Sequence, residues 1–278
     1  MQRIDGKSLA AAIRDNVKRE MSTLGIRPTL AVLLVGEDPA SHLYVNLKEK
    51  AANEAGIATD IRRLPADTPD EKLKSIIASW NADETVDAIL VQLPLPPGHD
   101  SDALVAAMDP RKDADGFHPE NMRATLSGVG TLFPPVHESI LRLIGATDVV
   151  VKSASATIIA NSDTFAEPLA HLLRAGGANV DIFSPDDVKR DRVAVADIVV
   201  VAVGRPKFLD PSMIKPGACV IDVGTNRLPD GAVVGDVDAA RFADVPGWLS
   251  PVPGGVGPLT VALLLKNVLT LAKRRRGL

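Results

Sequence analysis

Runs of uninterrupted apolar residues are the feature that most constrains how this chain folds. One run covers residues 30–35, another covers residues 88–91, and a third lies within residues 196–204. A strand that is apolar throughout is typical of a parallel sheet with helices on both faces. The segments between the runs carry apolar residues at helical spacing, such as Leu9 and Ile13. The alternation of strands and helices therefore predicts an α/β fold.

The same patterns divide the chain into elements. The predicted strands cover residues 30–35, 57–64, 88–91, 156–160, 179–183, 196–204 and 218–223. The predicted helices cover residues 8–24, 41–56, 70–80, 136–144, 164–175 and 259–273. The order of elements restarts near Asn121, so the chain is expected to form two α/β units.

Composition excludes several classes of function. The net charge of −4 argues against a general nucleic-acid binder, because phosphate binding needs a basic surface. The single cysteine, Cys219, rules out an intrachain disulfide and lies in an apolar stretch that predicts packing. No signal peptide is recognised, and no apolar run approaches the length that spans a bilayer. We therefore expect a cytoplasmic protein that binds neither nucleic acid nor membranes.

A tyrosine and a lysine in the second helix are the first candidate site residues. Tyr44 and Lys48 are four residues apart, so they lie one above the other on the same helix face. A phenol and an amine in this arrangement can hold a flat heterocycle and move a proton beside it. The alternative from this pair alone is an ordinary solvated helix that begins at Ser41 as its N-cap.

Two further candidates follow the third predicted strand. Gln92 lies at the carboxyl end of that strand, where open α/β sheets bind ligands, although such a residue often has only a structural role. The next loop carries Asp113 and Asp115 beside Gly116. Either carboxylate is equally compatible with an Asx turn or a helix cap.

Four separated motifs agree on one family. They are Tyr44-Val45-X-X-Lys48-X-Lys50, Val91-Gln92-Leu93-Pro94-Leu95-Pro96, Lys112-Asp113-Ala114-Asp115-Gly116-Phe117 and Pro251-Val252-Pro253-Gly254-Gly255-Val256-Gly257-Pro258. In this order they resemble the bifunctional methylenetetrahydrofolate dehydrogenase/cyclohydrolase family. The resemblance covers nearly the whole chain, including Thr225 in a further motif of residues 221–227.

The resemblance implies two α/β domains around a cleft. Residues 1–120 plus 252–278 would form the folate-binding catalytic domain, and residues 121–251 a Rossmann-like doubly wound parallel sheet. The implied reactions are oxidation of 5,10-methylenetetrahydrofolate to the methenyl form by a nicotinamide cofactor, then hydrolysis to 10-formyltetrahydrofolate. A homodimer is also implied.

The resemblance assigns roles to individual residues. Lys48 matches the catalytic lysine, so its pKa should be lowered to let it exchange a proton near neutral pH. Gln92 would orient the amine, and Tyr44 would offer a flat face to the pterin. Asp115 would accept hydrogen bonds from the pterin ring. The turn at residues 253–255, Pro253, Gly254 and Gly255, would let backbone approach the substrate.

The dinucleotide turn departs from the family pattern. The family usually has Gly-x-Ser-x-x-x-Gly-x-Pro, and here the corresponding residues begin Ala160-Asn161-Ser162 and continue to Pro168. Both glycines are alanine, at positions 160 and 166. A Cβ at each position is expected to narrow the space for the pyrophosphate. Asp163 and Glu167 add negative charge there.

The choice of cofactor stays open at this level. Asp186 lies at the end of the next strand, where a carboxylate favours the free ribose 2′-hydroxyl of NAD. Lys189 and Arg190 lie nearby and would suit a 2′-phosphate, and the resemblance implies NADP. The local chemistry leans to NAD, or to weak binding of either cofactor. Asp186 is equally compatible with a helix N-cap. The predicted cofactor residues are Ala160, Asn161, Ser162, Asp186 and Thr225, and the scattered histidines predict no metal site.

The altered turn leaves alternatives to a working bifunctional enzyme. One is a cyclohydrolase that has lost dehydrogenase activity. Another is a non-catalytic folate-binding relative, which the retained Lys48 disfavours because binding alone needs no amine beside the one-carbon bridge.

Overall fold

The computed structural model of the chain describes residues 1–130 and 132–278, which form two compact units. The first, here the three-strand unit, comprises Ala10–Pro135 and Val261–Leu278. The second, the six-strand unit, comprises Met1–Leu9 and Val136–Thr260.

The elements run in the order that the apolar pattern predicts, with several short additions. Through the first half of the chain they are β1 (Gln2–Arg3), α1 (Gly6–Leu24), β2 (Thr29–Val35), α2 (Pro39–Ala55), β3 (Ala58–Leu64), α3 (Asp70–Ala82), β4 (Ala88–Val91), α4 (Ser101–Ala106), α5 (Pro119–Leu126) and α6 (Pro135–Gly145). Through the second half they are β5 (Ser155–Ala160), α7 (Asp163–Ala175), β6 (Asn179–Phe183), α8 (Arg190–Val193), β7 (Ile198–Ala202), β8 (Cys219–Asp222), β9 (Asn226–Arg227), β10 (Val233–Val234), β11 (Trp248–Leu249) and α9 (Val256–Arg276).

The three-strand unit is a parallel sheet in the order β3-β2-β4. Its central strand β2 is buried on both faces because successive side chains point to opposite sides. Leu30, Val32 and Leu34 pack into a core with α1, α2 and α9. The alternate residues pack into a second core with α3 and α4: Ala31, Leu33 and Val35. This double burial explains why the strand is apolar throughout.

The six-strand unit is a parallel sheet in the order β6-β5-β7-β8-β11-β1. The strand order reverses between β5 and β7, which pair with each other along residues 156–160 and 198–202. Such a switch point is where doubly wound sheets bind ligands at the carboxyl ends of the strands. The predicted α/β class with a Rossmann-like second sheet is confirmed.

The boundaries of the units differ from the predicted domain limits. The N-terminal strand β1 pairs in parallel with β11, so it extends the six-stranded sheet. Residues 121–135 stay with the three-strand unit because Asn121 donates to the Asp113 carboxylate at 2.9 Å. Asn267 also donates to the Phe133 carbonyl there, at 3.1 Å. The second tie joins residues 134 positions apart in the sequence, which local pattern does not reveal.

The last helix, α9, contradicts the expectation that no apolar segment is long enough to span a bilayer. Helix α9 is apolar and long enough, by composition, to cross a membrane. Two thirds of its apolar window, 67%, is buried inside the protein, as expected of a core helix. Arg275 and Arg276 near its end form ion pairs of 3.0 Å with the buried Asp87, which anchors the helix.

Candidate functional site

Helix α2 positions the lysine predicted to be catalytic. The N-cap is Asp38, whose carboxylate accepts the Ser41 N–H at 2.8 Å, and Pro39 occupies the first turn. The prediction that Ser41 caps this helix was wrong, because the helix starts earlier. The buried face of α2 carries Ser41 and Lys48, seven residues apart, so that Lys48 points into the unit.

Lys48 and Gln92 meet at the carboxyl end of β4. The Lys48 ammonium donates to Gln92 Oε1 over 2.9 Å, and the two residues are 8% and 7% exposed. The other end of the Gln92 amide donates to the Leu93 carbonyl at 2.6 Å. This second bond holds Oε1 toward the lysine. The structure therefore brings together two residues 44 positions apart in the sequence.

The electrostatics of this pair depend on Asp115. Burial lowers the pKa of the Lys48 amine, and the negative charge of Asp115 opposes that shift. Burial also raises the pKa of the Asp115 carboxyl, and the positive charge of Lys48 opposes this in turn. The pKa values of the amine and the carboxyl therefore shift toward each other, so the amine can gain or lose a proton at a modest cost in free energy.

The second carboxylate of the loop has a different task. Asp113 is fully buried and accepts N–H groups of Gly116 at 2.9 Å and His118 at 2.8 Å. It therefore forms the turn that the sequence allowed for either aspartate, while Asp115 keeps partial exposure. The turn is tight, since a Cβ on Gly116 would lie 3.1 Å from the Pro134 nitrogen.

Tyr44 and Ser41 complete this face of the three-strand unit. Tyr44 is partly exposed one turn before Lys48, as its spacing predicts. Ser41 is 2% exposed, and its Oγ has no hydrogen-bond partner among the described residues. The sequence interpretation treated Ser41 only as a cap. Its spacing of seven from Lys48 was the available signal that both share the buried face.

The Pro253-Gly254-Gly255 turn lies in the six-strand unit, before α9. Gly254 has φ of +117°, which favours glycine. A Cβ on Gly255 would lie 2.8 Å from the Pro251 carbonyl oxygen, and one on Gly6 would lie 2.2 Å from the Gly255 oxygen. Glycine is therefore required at this turn by contacts within the protein itself.

The predicted dinucleotide turn joins β5 to the N-terminus of α7. Ala160 ends the strand, and Asn161 donates from its side chain to the Val203 carbonyl at 2.5 Å. Ser162 is the N-cap but makes no side-chain cap bond. The N–H groups of Asp163 and Thr164 donate to no protein atom among the described residues. Such unoccupied amides at a helix N-terminus suit a phosphate.

Of the two alanines that replace glycine in this turn, Ala166 lies on the buried side of helix α7. Ala166 is 1% exposed, so its methyl packs into the core side of the helix. Glu167 extends toward Arg174, 3.9 Å away and two turns along the helix. Asp163 remains as an exposed carboxylate in the first turn.

Asp186 is held by a basic neighbour. Its carboxylate lies 2.9 Å from the Arg205 guanidinium, and the pair lowers the pKa of Asp186. Helix α8 is capped by Lys189, so the alternative of Asp186 as an N-cap is not seen. Thr225 follows β8 in the loop before β9. Among the described residues, no group of three or more His, Cys, Asp or Glu can hold a metal ion.

These features define a class of protein. A doubly wound parallel sheet with a phosphate-compatible turn is typical of dinucleotide-dependent oxidoreductases. The buried lysine in a separate α/β unit adds a group able to exchange a proton.

Comparisons with known proteins identify the family. The tetrahydrofolate dehydrogenase/cyclohydrolase catalytic domain matches residues 4–115, and the NAD(P)-binding domain of the same family matches residues 134–276. The "Bifunctional protein FolD" of Acidiphilium cryptum is 46% identical over 276 residues, 98% of each chain.

Solved structures agree with this match. The bifunctional FolD of Campylobacter jejuni has a TM-score of 0.92 at 37% identity and 99% coverage of both chains. FolD of Trypanosoma brucei, complexed with NADP and an inhibitor, has a TM-score of 0.92 at 34% identity, covering 98% of this chain and 97% of that one. The chain belongs to the tetrahydrofolate dehydrogenase/cyclohydrolase family. It is a bifunctional enzyme that oxidises methylenetetrahydrofolate with a nicotinamide cofactor and hydrolyses the methenyl product.

Proposed function

We propose that Lys48 is the proton carrier of the cyclohydrolase reaction and that Gln92 holds it in place. The observation that carries this assignment is the buried 2.9 Å hydrogen bond between the two side chains. An amine that is held by a neutral amide and has a lowered pKa can act as a base near neutral pH.

The proposed chemistry has two steps. A water molecule adds to the methenyl carbon, and its proton passes to the Lys48 amine. The bond between that carbon and N5 then breaks as Lys48 returns the proton to N5, and the new hydroxyl loses its remaining proton to solvent as it becomes the carbonyl of the formyl group on N10. The same residue serves as base and then as acid, which is most efficient when its pKa lies near the working pH.

The remaining folate contacts follow from charge and shape. Tyr44 offers its ring to the pterin from the same helix, and Asp115 accepts hydrogen bonds from the pterin N–H groups. The turn Pro253, Gly254 and Gly255 is assigned to the substrate as well, because its two glycines present backbone without side chains.

The dinucleotide is assigned to the end of β5 and the start of α7. The cofactor supplies the hydride acceptor for the dehydrogenase reaction. Ala160, Asn161 and Ser162 would form the turn beneath its pyrophosphate, supported by the unoccupied amides there. Asp186 would face the adenosine ribose, and Thr225 would contact the cofactor from the loop after β8. Arg205 beside Asp186 makes NADP compatible with this position as well as NAD.

The test of the lysine assignment is Lys48→Met, with Lys50→Met as the matched control. Lys50 lies on the same helix, but its side chain is 74% exposed. We expect hydrolysis of methenyltetrahydrofolate by Lys48→Met to fall by about 10²–10⁴. The control should keep the wild-type rate. Full activity of Lys48→Met, measured as loss of methenyl absorbance above the uncatalysed background, would refute the assignment.

We also infer a cytoplasmic homodimer. Strand β6 is one of the two edges of the six-stranded sheet, and an edge strand offers backbone groups with which a second copy can pair. The lone cysteine suits a reducing compartment. Light scattering with size-exclusion chromatography tests the dimer, and a monomeric mass would contradict it.

A further inference from the structure

Two buried carboxylates lie at the carboxyl edge of the six-stranded sheet and belong to no role assigned above. Asp222 ends β8 and is 2% exposed. Its carboxylate accepts the backbone N–H groups of Gly224, Asp236 and Val237, each at 3.0 Å. Asp222 therefore ties together both ends of the segment that follows β8.

The second carboxylate ties that segment to the neighbouring strand. Asp236 is 0% exposed and accepts the N–H groups of Val203 at 2.7 Å and Gly204 at 3.0 Å, just after β7. Its other oxygen accepts the side-chain N–H of Asn226 at 2.8 Å. We call the pair Asp222 and Asp236 the carboxylate clasp.

The two carboxylates of the clasp pack tightly against the backbone of two glycines. A Cβ on Gly224 would lie 2.2 Å from the carboxyl carbon of Asp236, and a Cβ on Gly235 would lie 1.8 Å from Asp222 Oδ2. Each carboxylate thus rests against a glycine that lies one or two residues from the other aspartate. This reciprocal packing sets the path of the backbone from 222 to 237.

The carboxylate clasp costs free energy, so it is a poor way to stabilise the fold. Burial raises the pKa of Asp222 to about 7, and the charge of Asp236 adds to that shift. Among residues 1–130 and 132–278, no cationic side chain forms an ion pair with either carboxylate. Burying two like charges without a cation costs free energy, so a role in positioning explains the arrangement better than one in stability.

A chain of hydrogen bonds joins the clasp to both predicted cofactor segments. The Val203 N–H donates to Asp236, and the Val203 carbonyl accepts from Asn161 of the dinucleotide turn. At the other end, Asp236 accepts from Asn226, which adjoins Thr225. The turn after β5 and the loop after β8 are therefore held in one network.

We propose that Asp222 and Asp236 are positioning residues for the dinucleotide: their clasp sets the loop carrying Thr225 relative to the turn at 160–162. The inference rests on the proposed assignment of the dinucleotide to those segments. Neither aspartate needs to touch the cofactor, since both act through the backbone groups that they hold.

The first test is Asp236→Asn, with NADP binding measured by isothermal titration calorimetry. An asparagine has one acceptor oxygen where the aspartate uses two, so at least one of its three donors loses its partner. We expect the Kd for NADP to rise about tenfold, as for loss of a hydrogen bond to a charged group. The kcat/KM of the dehydrogenase for NADP should fall more than that of the cyclohydrolase, which uses no dinucleotide.

The matched control is Asp197→Asn. Asp197 accepts from Ser155 and Lys215 at the opposite edge of the same sheet. It should lower the Tm and leave the Kd for NADP unchanged. A Kd of Asp236→Asn within about twofold of the wild type would overturn the proposal, as would an equal rise in the control.

A milder variant guards against loss of folding. Asn226→Ala removes a partly exposed hydrogen-bond donor to Asp236. Because loss of one hydrogen bond has a small effect, the Kd for NADP should rise about threefold. An unchanged Kd in this variant also overturns the proposal.

One more variant distinguishes failure of this inference from failure of the proposed dinucleotide site on which it rests. Ser162→Tyr places a ring over the dinucleotide turn and should abolish NADP binding. If Ser162→Tyr binds NADP normally, the assignment of the turn fails. If Ser162→Tyr loses NADP and Asp236→Asn keeps it, the clasp alone fails.

Discussion

In the proposed site around Lys48 the acting groups would be buried side chains, whereas in the proposed site around Ser162 they would be backbone amides at a helix N-terminus. The lysine is 8% exposed and its hydrogen-bond partner is 7% exposed, while Asn161, Ser162 and Asp163 are all exposed. A side-chain site depends on the identity of each residue, because a lost group leaves its partner desolvated. A backbone site depends on the path of the chain, which several sequences can follow.

This contrast accounts for the altered turn. Ala166 is 1% exposed and packs its methyl inside, whereas Asn161, Ser162 and Asp163 of the proposed pyrophosphate turn are exposed. The three-strand unit, by comparison, retains Tyr44, Lys48, Gln92 and Asp115 of the family motifs. The two regions therefore have different tolerance to substitution.

The largest effect is expected from a substitution that removes the hydrogen bond of the side-chain site around Lys48. Gln92→Leu removes the acceptor that holds the Lys48 ammonium, and we expect cyclohydrolase activity to fall by about 10². Loss of the acceptor lowers the pKa of Lys48 further, whereas the added charge of Gln92→Glu raises it. Rates of methenyltetrahydrofolate hydrolysis against pH should therefore shift to lower pH in the first variant and higher pH in the second. Shifts in the same direction would contradict the proposed contact.

A smaller effect concerns the exposed cofactor pair. Arg205→Gln should weaken NADP binding about tenfold and change NAD binding little, because a guanidinium recognises the 2′-phosphate and not the hydroxyl. Asp186→Asn should instead strengthen NADP binding by removing a negative charge. Calorimetric Kd values for both cofactors check this, and equal losses for NADP and NAD in Arg205→Gln would exclude a role in discrimination.

The backbone site should respond weakly to a restored glycine. Ala166→Gly is expected to lower the free energy of unfolding by about 1 kcal/mol, the cost of glycine within a helix. The Kd for NADP should stay near the wild-type value, since the methyl faces the core. A markedly tighter Kd would show that the Cβ does crowd the pyrophosphate.

The smallest effect is a pH dependence of stability near the loop after Gln92. His99 lies 2.5 Å from the Asp70 carboxylate, which raises the pKa of His99 and lowers the pKa of Asp70. The histidine contribution is complete below its ordinary pKa of 6.5 and is lost as pH rises through the raised value. The aspartate contribution is complete above its ordinary pKa of 3.8 and is lost as pH falls through the lowered value.

The Tm difference between wild type and His99→Gln should therefore be largest at about pH 5 and shrink in alkaline buffer. His171→Gln, on the partly exposed face of α7, serves as the control and should show no such trend. A difference that stays constant with pH would mean that the contact between His99 and Asp70 is not ionic.

Much of the fold could be predicted from the chain alone. The apolar runs at 30–35 and 88–91 became buried strands because residues with no polar side chain must lie inside a doubly covered sheet. Short elements such as α4 and β9 were not predicted, since fewer than two helical turns or three strand residues carry little periodicity. The cap of α2 was also misplaced, because the Asp38 carboxylate accepts the Ser41 N–H and starts the helix before Ser41.

The sequence by itself determined the family, the α/β class and the candidate residues, because ordered motifs and apolar periodicity are local properties of the chain. Only the tertiary structure decided between Asp113 and Asp115, by burying the first among N–H donors and leaving the second partly exposed. It alone joined Lys48 to Gln92 and linked Val203 to the carboxylate clasp. Burial and hydrogen bonding between distant residues arise only when the strands assemble, and they set the charge and position of the groups that act.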